Sequence, residues 1–270
     1  MHTLLVPTDF SENAKNALLY AIALAKAFGS RIVLLHTYQV PGRSDMFVSM
    51  DSILTKNARK DMLALRDLIP KTIPVDIQIL KGHTVAAITE YAQQHRISLI
   101  VMGTQGKSAL EEVFIGSVTG GVMRTTYTPI LAIPEHFTFT SLRKIVFAMD
   151  GLKIEHEDSL FILKQLAEAF SAELVLFHYD EVNTLKKEVN FELREWLPGV
   201  SLTVVNDSET PNVNESIKKI IHDRSADMLC MVRRKKNTVG FFERLFKDSV
   251  TTTQIFSSQV PLLILHSHNT

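Results

Sequence analysis

The chain repeats itself, and the repeat constrains its fold more than any other feature. Leu4-Leu-Val-Pro-Thr-Asp9 returns as Ile145-Val-Phe-Ala-Met-Asp150. Ala27-Phe-Gly-Ser-Arg-Ile-Val-Leu-Leu-His36 returns as Ala169-Phe-Ser-Ala-Glu-Leu-Val-Leu-Phe-His178. Ser98-Leu-Ile-Val-Met102 matches Asp227-Met-Leu-Cys-Met231, and Pro129-Ile-Leu-Ala-Ile133 matches Pro261-Leu-Leu-Ile-Leu265. The offsets between partners run 141, 142, 129 and 132. The second copy has therefore lost residues before its fourth strand and gained three in the loop after it. A chain of 270 residues, 46% apolar, suits two domains of ordinary size with real cores. Their expected extents are 1–137 and 142–270, joined by a tight Phe/Thr linker at Glu135 to Ser141 that is too short for a flexible tether.

Each copy alternates strand and helix. In the first, apolar runs predict strands at 3–8, 31–37, 75–80, 98–102 and 130–133, covered on both faces. Helices are predicted near 11–28, 50–68, 84–95 and 117–127. The first carries Ser11 as N-cap, an apolar stripe of Ala14, Leu18, Ala21, Ile22 and Ala25, and Gly29 as its stop. Pro70 and Pro74 bracket the exit from the second helix. This alternation predicts an α/β fold of two tandem doubly wound, Rossmann-like parallel sheets. Ligands of such sheets lie beyond the carboxyl ends of the strands. If strands one and four are neighbours, Asp9 and Gly103 face one crevice.

At that crevice Gly103-Thr-Gln-Gly106 follows the fourth strand directly, and Gly116-Ser117 precedes the next helix. Glycines admit close approach of a ligand and positive φ, and a serine can cap the helix whose unpaired N–H groups attract anions. The pattern describes a seat for phosphates. It is not a Walker A loop, because Val101 stands where that motif needs its first glycine. Nor is it a dinucleotide fingerprint, since the first strand–helix turn, Val6 to Ser11, contains no glycine.

These residues resemble the universal stress protein family, over essentially the whole chain as a tandem pair. The family motif G-2x-G-9x-G-[S/T] is met at Gly103, Gly106, Gly116 and Ser117. Val6-Pro7-Thr8-Asp9-Phe10-Ser11, the strand end Leu34-Leu35-His36 and the closing Pro129 to Pro134 agree in order. The resemblance implies an adenine nucleotide alpha hydrolase-like sheet of five strands in the order 3-2-1-4-5, in each copy. It implies ATP, with Pro7, Thr8 and Asp9 at the adenosine end and Thr37 lining that pocket. Met102, Gly103, Gly106, Gly116, Ser117, Val118 and Thr119 are implied to wrap the phosphates, with Mg²⁺ held mainly through phosphate oxygens. Gln105 departs from the histidine frequent at that position. The fifth strands, Ile130–Ile133 and Leu262–Leu265, are expected to pair as an internal pseudo-dimer, a homodimer of the whole chain being allowed but not required. Gly120-Gly121 weakens the helix after the motif, which a close packing contact or a mobile helix start would explain.

The second copy is expected to have lost the site. Val232 replaces Gly103, about Lys235 replaces Gly106 and Asp248 replaces Gly116, while Ser249 and Val250 persist. One nucleotide per chain follows. The loop at 233–246, with Arg233-Arg-Lys-Lys236 and the helically spaced Phe242, Leu245 and Phe246, is either a solvated loop over a buried face or a patch for a protein partner.

Composition excludes several classes. Lysine plus arginine equals aspartate plus glutamate at 29 each, so no basic excess points to nucleic acid. No run approaches a membrane span, and the early first strand leaves no expected signal peptide, so the cytoplasm is the expected location. The one cysteine, Cys230, reads as a core hydrophobe, and the ten histidines lack zinc spacing. His36 and His178 share a strand-end place, which favours a structural hydrogen bond over catalysis. His83 is read as a turn residue, Asp45, Asp51, Glu111 and Glu112 as solvated, and Trp196 with Pro198 as a helix end. No positioned base or nucleophile is evident, so no catalytic residue is assigned. The expected role is an ATP-binding stress-response regulator or sensor. The alternatives are a slow ATP hydrolase or phosphoryl transferase using Lys107, a nucleotide-independent scaffold, and an ATP pyrophosphatase, whose Ser-Gly-Gly loop is missing after strand one.

Overall fold

The computed structural model describes residues 1–40, 47–104, 115–149, 157–179, 193–207, 213–233 and 260–266. The chain divides into two compact units, Met1–Phe139 and Thr140–Thr270. In the first, β1 (Thr3–Pro7), β2 (Arg31–Tyr38), β3 (Val75–Lys81), β4 (Leu99–Gly103) and β5 (Ile130–Ile133) alternate with α1 (Glu12–Phe28), α2 (Phe47–Arg66), α3 (Thr84–Gln94) and α4 (Ser117–Thr125). The strands are all parallel, in the order β3-β2-β1-β4-β5. Pairing of Leu4 with both Ile32 and Leu99 makes β1 and β4 neighbours, with their carboxyl ends on one side.

Local signals account for these elements. The Ser11 Oγ accepts from the Ala14 N–H at 3.1 Å and starts α1. Such a cap is worth about 1 kcal/mol. Ala14, Leu18, Ala21, Ile22 and Ala25 are buried as the stripe predicts, and Gly29 stops the helix at φ 62°. Every residue of β4 and β5 is buried, so runs of Leu, Ile and Val sit there without alternation. In β3 the expectation of two covered faces fails. Val75 to Leu80 are half-buried throughout, because β3 is the edge strand and interleaves Asp76 and Gln78 with its apolar residues.

The segment expected to be a linker is largely part of the first unit. Asn16 Nδ2 donates to the carbonyls of Pro134, Glu135 and Phe137 at 3.1, 3.2 and 2.8 Å. The Tyr20 ring packs edge-on against Phe139, centroids 4.8 Å apart. Residues 135–139 are thereby fastened to α1.

The second unit holds β6 (Lys144–Met149), a 3-10 turn at Glu157–Leu160, α5 (Phe161–Phe170), β7 (Glu173–Tyr179), β8 (Leu202–Asp207), α6 (Val213–Arg224), β9 (Met228–Arg233) and β10 (Leu262–His266). Its strands run β8-β7-β6-β9-β10, all parallel, which is the same winding. Register carries the repeat down to single residues. Ile145 pairs with Leu174 and Met228, the counterparts of the two partners of Leu4. Trp196 closes a helical turn at 193–196, and Pro198 follows in a turn, as the sequence indicates. Cys230 is fully buried in β9, and burial pushes its thiol well above the usual range, which leaves it an inert core side chain.

Candidate functional site

Two connections meet at the carboxyl ends of β1 and β4. The first leaves β1 through Pro7 and Thr8, both buried, and the half-buried Asp9. The Thr8 N–H donates to the Leu35 carbonyl at 2.8 Å, and its hydroxyl accepts from the Phe10 N–H at 3.0 Å. Asp9 Oδ1 accepts from the Ser11 N–H at 3.0 Å, so the carboxylate also shapes the turn that launches α1. Phe10 sits in the left-handed region at φ 64°, an arrangement that costs a non-glycine residue on the order of 1 kcal/mol or more. Its ring rests 4.5 Å from that of His36, whose Nδ1 lies 2.8 Å from the Thr8 carbonyl oxygen. The structural hydrogen bond expected of His36 is present. Thr37, at the same end of β2, donates its hydroxyl to the Thr84 hydroxyl at 2.9 Å. Beyond it, Asp51 accepts from Lys81 and from the Tyr38 hydroxyl, and the Lys81 hydrogen bond lowers its carboxyl pKa. Asp51 is therefore paired rather than simply solvated.

The second connection leaves β4 through Met102 and Gly103, both buried. Gly106 of the motif lies outside the described residues, as do Gln105, Lys107, Asp45, Glu111 and Glu112. The chain re-enters at Ile115. The Gly116 N–H donates to the Thr104 carbonyl at 2.6 Å, which brings the helix start back to the strand end. The Thr119 hydroxyl donates to the Gly103 carbonyl at 2.7 Å, so this side chain is spent on structure.

The motif residues do their work differently from the sequence expectation. Ser117 does not cap α4. Gly116 is the N-cap, with φ −63° and ψ 159°, and Ser117 is the first helical residue. Neither described motif glycine has positive φ, so left-handed geometry is not why they are glycines. Gly103 is glycine because a Cβ there would meet Asn13 Oδ1 at 2.7 Å and Asn13 Cγ at 2.8 Å. The Gly120-Gly121 question also resolves toward packing. A Cβ on Gly121 would strike Val85 of α3 at 2.7 Å, whereas one on Gly120 would meet the flexible end of Arg124 at 3.3 Å and Ile115 at an ordinary 3.5 Å.

A glycine cap offers no side-chain acceptor, and intrahelical bonding begins with the Gly120 N–H donating to Gly116. The N–H groups of Ser117, Val118 and Thr119 have no partner among the described residues. Ser117 and Val118 are exposed. Three such amides at the positive end of a helix make an anion seat. No group of three or more His, Cys, Asp or Glu among the described residues could hold a metal ion. No helix among them is long and apolar enough to cross a membrane.

Asn13 is the residue that sequence reasoning missed. Its signal was available, since a polar side chain in line with Ala17, Tyr20 and Leu24 at helical spacing stands on the buried face of α1. In the second unit, strand register sets Val232 at the place of Gly103, through the pairing of Val232 with Leu265 as Gly103 pairs with Ile133. The counterparts of Gly106 and Gly116, about Lys235 and Asp248, and most of the 233–246 loop lie outside the described residues.

The model of the universal stress protein family matches residues 1–134. The universal stress protein in the QAH/OAS sulfhydrylase 3' region of Thermus aquaticus is 29% identical over 133 residues, covering 48% of this chain and 97% of that protein. Universal stress protein MJ0531 of Methanocaldococcus jannaschii is 25% identical over 139 residues, covering 49% of this chain and 81% of its relative. The crystal structure of a universal stress protein from Archaeoglobus fulgidus DSM 4304 is similar over 98% of both chains, with a TM-score of 0.77 and 22% identity. At that identity the last likeness speaks for the fold of the whole chain alone.

Proposed function

Since this chain belongs to the universal stress protein family through its first unit, we propose that it is a nucleotide-dependent stress-response regulator binding one ATP per chain in that unit. The observation that carries this reading is the start of α4, where the unpartnered amides of Ser117, Val118 and Thr119 follow a side-chain-free cap. A triphosphate is the ligand class whose charge and oxygens match such a seat. Asp9 and Thr37 stand on the adjoining strand ends, where a nucleoside extending from that seat would lie, and a carboxylate suits its hydroxyl or amine donors. Mg²⁺ would be held by phosphate oxygens, as small hard cations often are. Binding without rapid turnover is favoured by the engagements already made. His36 is committed to the Thr8 carbonyl and Asp9 Oδ1 to the Ser11 amide. The second unit, with Val232 at the Gly103 place, would hold no nucleotide.

Calorimetric titration of the nucleotide-stripped chain with MgATP tests the reading. One site per chain is expected. Two equivalent sites would contradict the loss of the second, and no heat at millimolar ATP would remove the nucleotide role.

A further inference from the structure

Asn13 is held in a state that folding alone does not explain. The residue is 4% exposed, yet neither Oδ1 nor Nδ2 of its side chain has a hydrogen-bond partner. It is the one described residue of the first unit in this condition. Its neighbour one turn along, Asn16, makes three side-chain bonds on the same helix. A buried carboxamide left without partners destabilises the chain that carries it, and alanine or leucine would remove the penalty. Unpaired polar groups of this kind are retained where a ligand supplies what the protein does not.

The place of Asn13 supports that reading. It is the second residue of α1, whose N-terminus follows Asp9 directly. Its carboxamide lies where a side chain on Gly103 would be, so it is turned onto the end of β4 at the root of the anion seat. Thr119 already occupies the Gly103 carbonyl, which therefore does not serve Asn13. The missing partner must accept from Nδ2 and donate to Oδ1. A phosphate accepts only, and would set its charge against the amide oxygen. A hydroxyl does both.

Resting on the nucleotide reading above, we propose that Asn13 is a specificity-determining residue that recognises a ribose hydroxyl of the bound nucleotide, and so selects ribonucleotides over deoxyribonucleotides. Asp9 and Asn13 then flank the sugar from the two ends of one helical entry. The carboxamide is covered in the ligand-free chain, so recognition requires it to turn from Gly103 toward the crevice when the sugar arrives.

The experiment compares ATP, 2′-deoxyATP and 3′-deoxyATP on the full nucleotide-stripped chain and on Asn13→Leu and Asn13→Ala. Affinity and ligand-free melting temperature are both measured. The wild type is expected to bind ATP at least tenfold more tightly than one of the two deoxy analogues. In the variants that ratio falls to within twofold of unity, and ligand-free Asn13→Leu melts no lower than wild type because it loses no hydrogen bond. Asn13→Ala decides the ratio if the leucine does not fold. A wild type that does not discriminate, or variants that keep the wild-type ratio while still binding ATP, overturns the proposal and leaves the nucleotide site standing. A wild type that binds no ATP removes both.

Discussion

Gly103→Val, which installs the residue that the second unit carries at this place, is expected to destabilise the first unit by roughly 3 kcal/mol. That corresponds to about 10 °C in its melting transition. The reason is local. A first side-chain carbon already falls 2.7 Å from Asn13 Oδ1 and 3.1 Å from the Asn13 backbone oxygen, and valine adds two methyl groups. Neither α1 nor β4 can retreat easily, because Ala14, Ala17 and Leu18 on one side and Ile100 to Met102 on the other are buried. Urea titration followed by circular dichroism gives the magnitude. Pairing the substitution with Asn13→Gly separates side-chain crowding from backbone crowding, and the double variant should recover part of the loss. Wild-type stability in Gly103→Val alone would show that the close approach of Asn13 does not dictate the glycine.

Gly116→Asp is expected to do the reverse: it spares the fold and destroys binding. The backbone at Gly116 is extended, the geometry that a capping aspartate adopts. Its carboxylate would accept from the amides two and three residues on, those of Val118 and Thr119, and would face the positive end of α4. The helix gains a few tenths of a kcal/mol. The same amides are then lost to a ligand, and a negative charge stands beside the triphosphate. Two like charges 4 Å apart near a protein surface repel by about 4 kcal/mol. Affinity for ATP should fall at least about a hundredfold, near 3 kcal/mol. Gly116→Asn takes the amides without the charge and should fall in between. ATP affinity within threefold of wild type in the aspartate variant would separate the start of α4 from nucleotide binding altogether.

The contrast between these glycines shows what a sequence of this kind discloses. Strand positions were legible because β4 and β5, and β1 after Thr3, are buried throughout and so consist of uninterrupted apolar residues. The start and stop of α1 were legible because Ser11 and Gly29 act on their own neighbours. The winding of both units could be anticipated because four of the five strands have a counterpart 129 to 142 residues away. Contacts between distant segments were not legible. Nothing around Gly103 announces that Asn13, ninety residues earlier, fills the space of its side chain, or that Val85 does the same to Gly121. The cap of α4 shifted by one residue for a similar reason. A serine at a helix start is a good cap in isolation, but the Gly116 amide is drawn to the Thr104 carbonyl, and the extended residue is fixed there instead. β3 departs from the expectation of two covered faces because it is an edge strand in which Asp76 and Gln78 interleave with the apolar residues.

The claim on which the rest depends is that the first turn of α4 receives the phosphates. Crystals of the full chain soaked with excess MgATP test it most directly. Phosphate oxygens within hydrogen-bonding distance of the amides of Ser117, Val118 and Thr119, in the first unit only, are the predicted result. A nucleotide seated elsewhere, or density in the matching crevice of the second unit, would contradict the account.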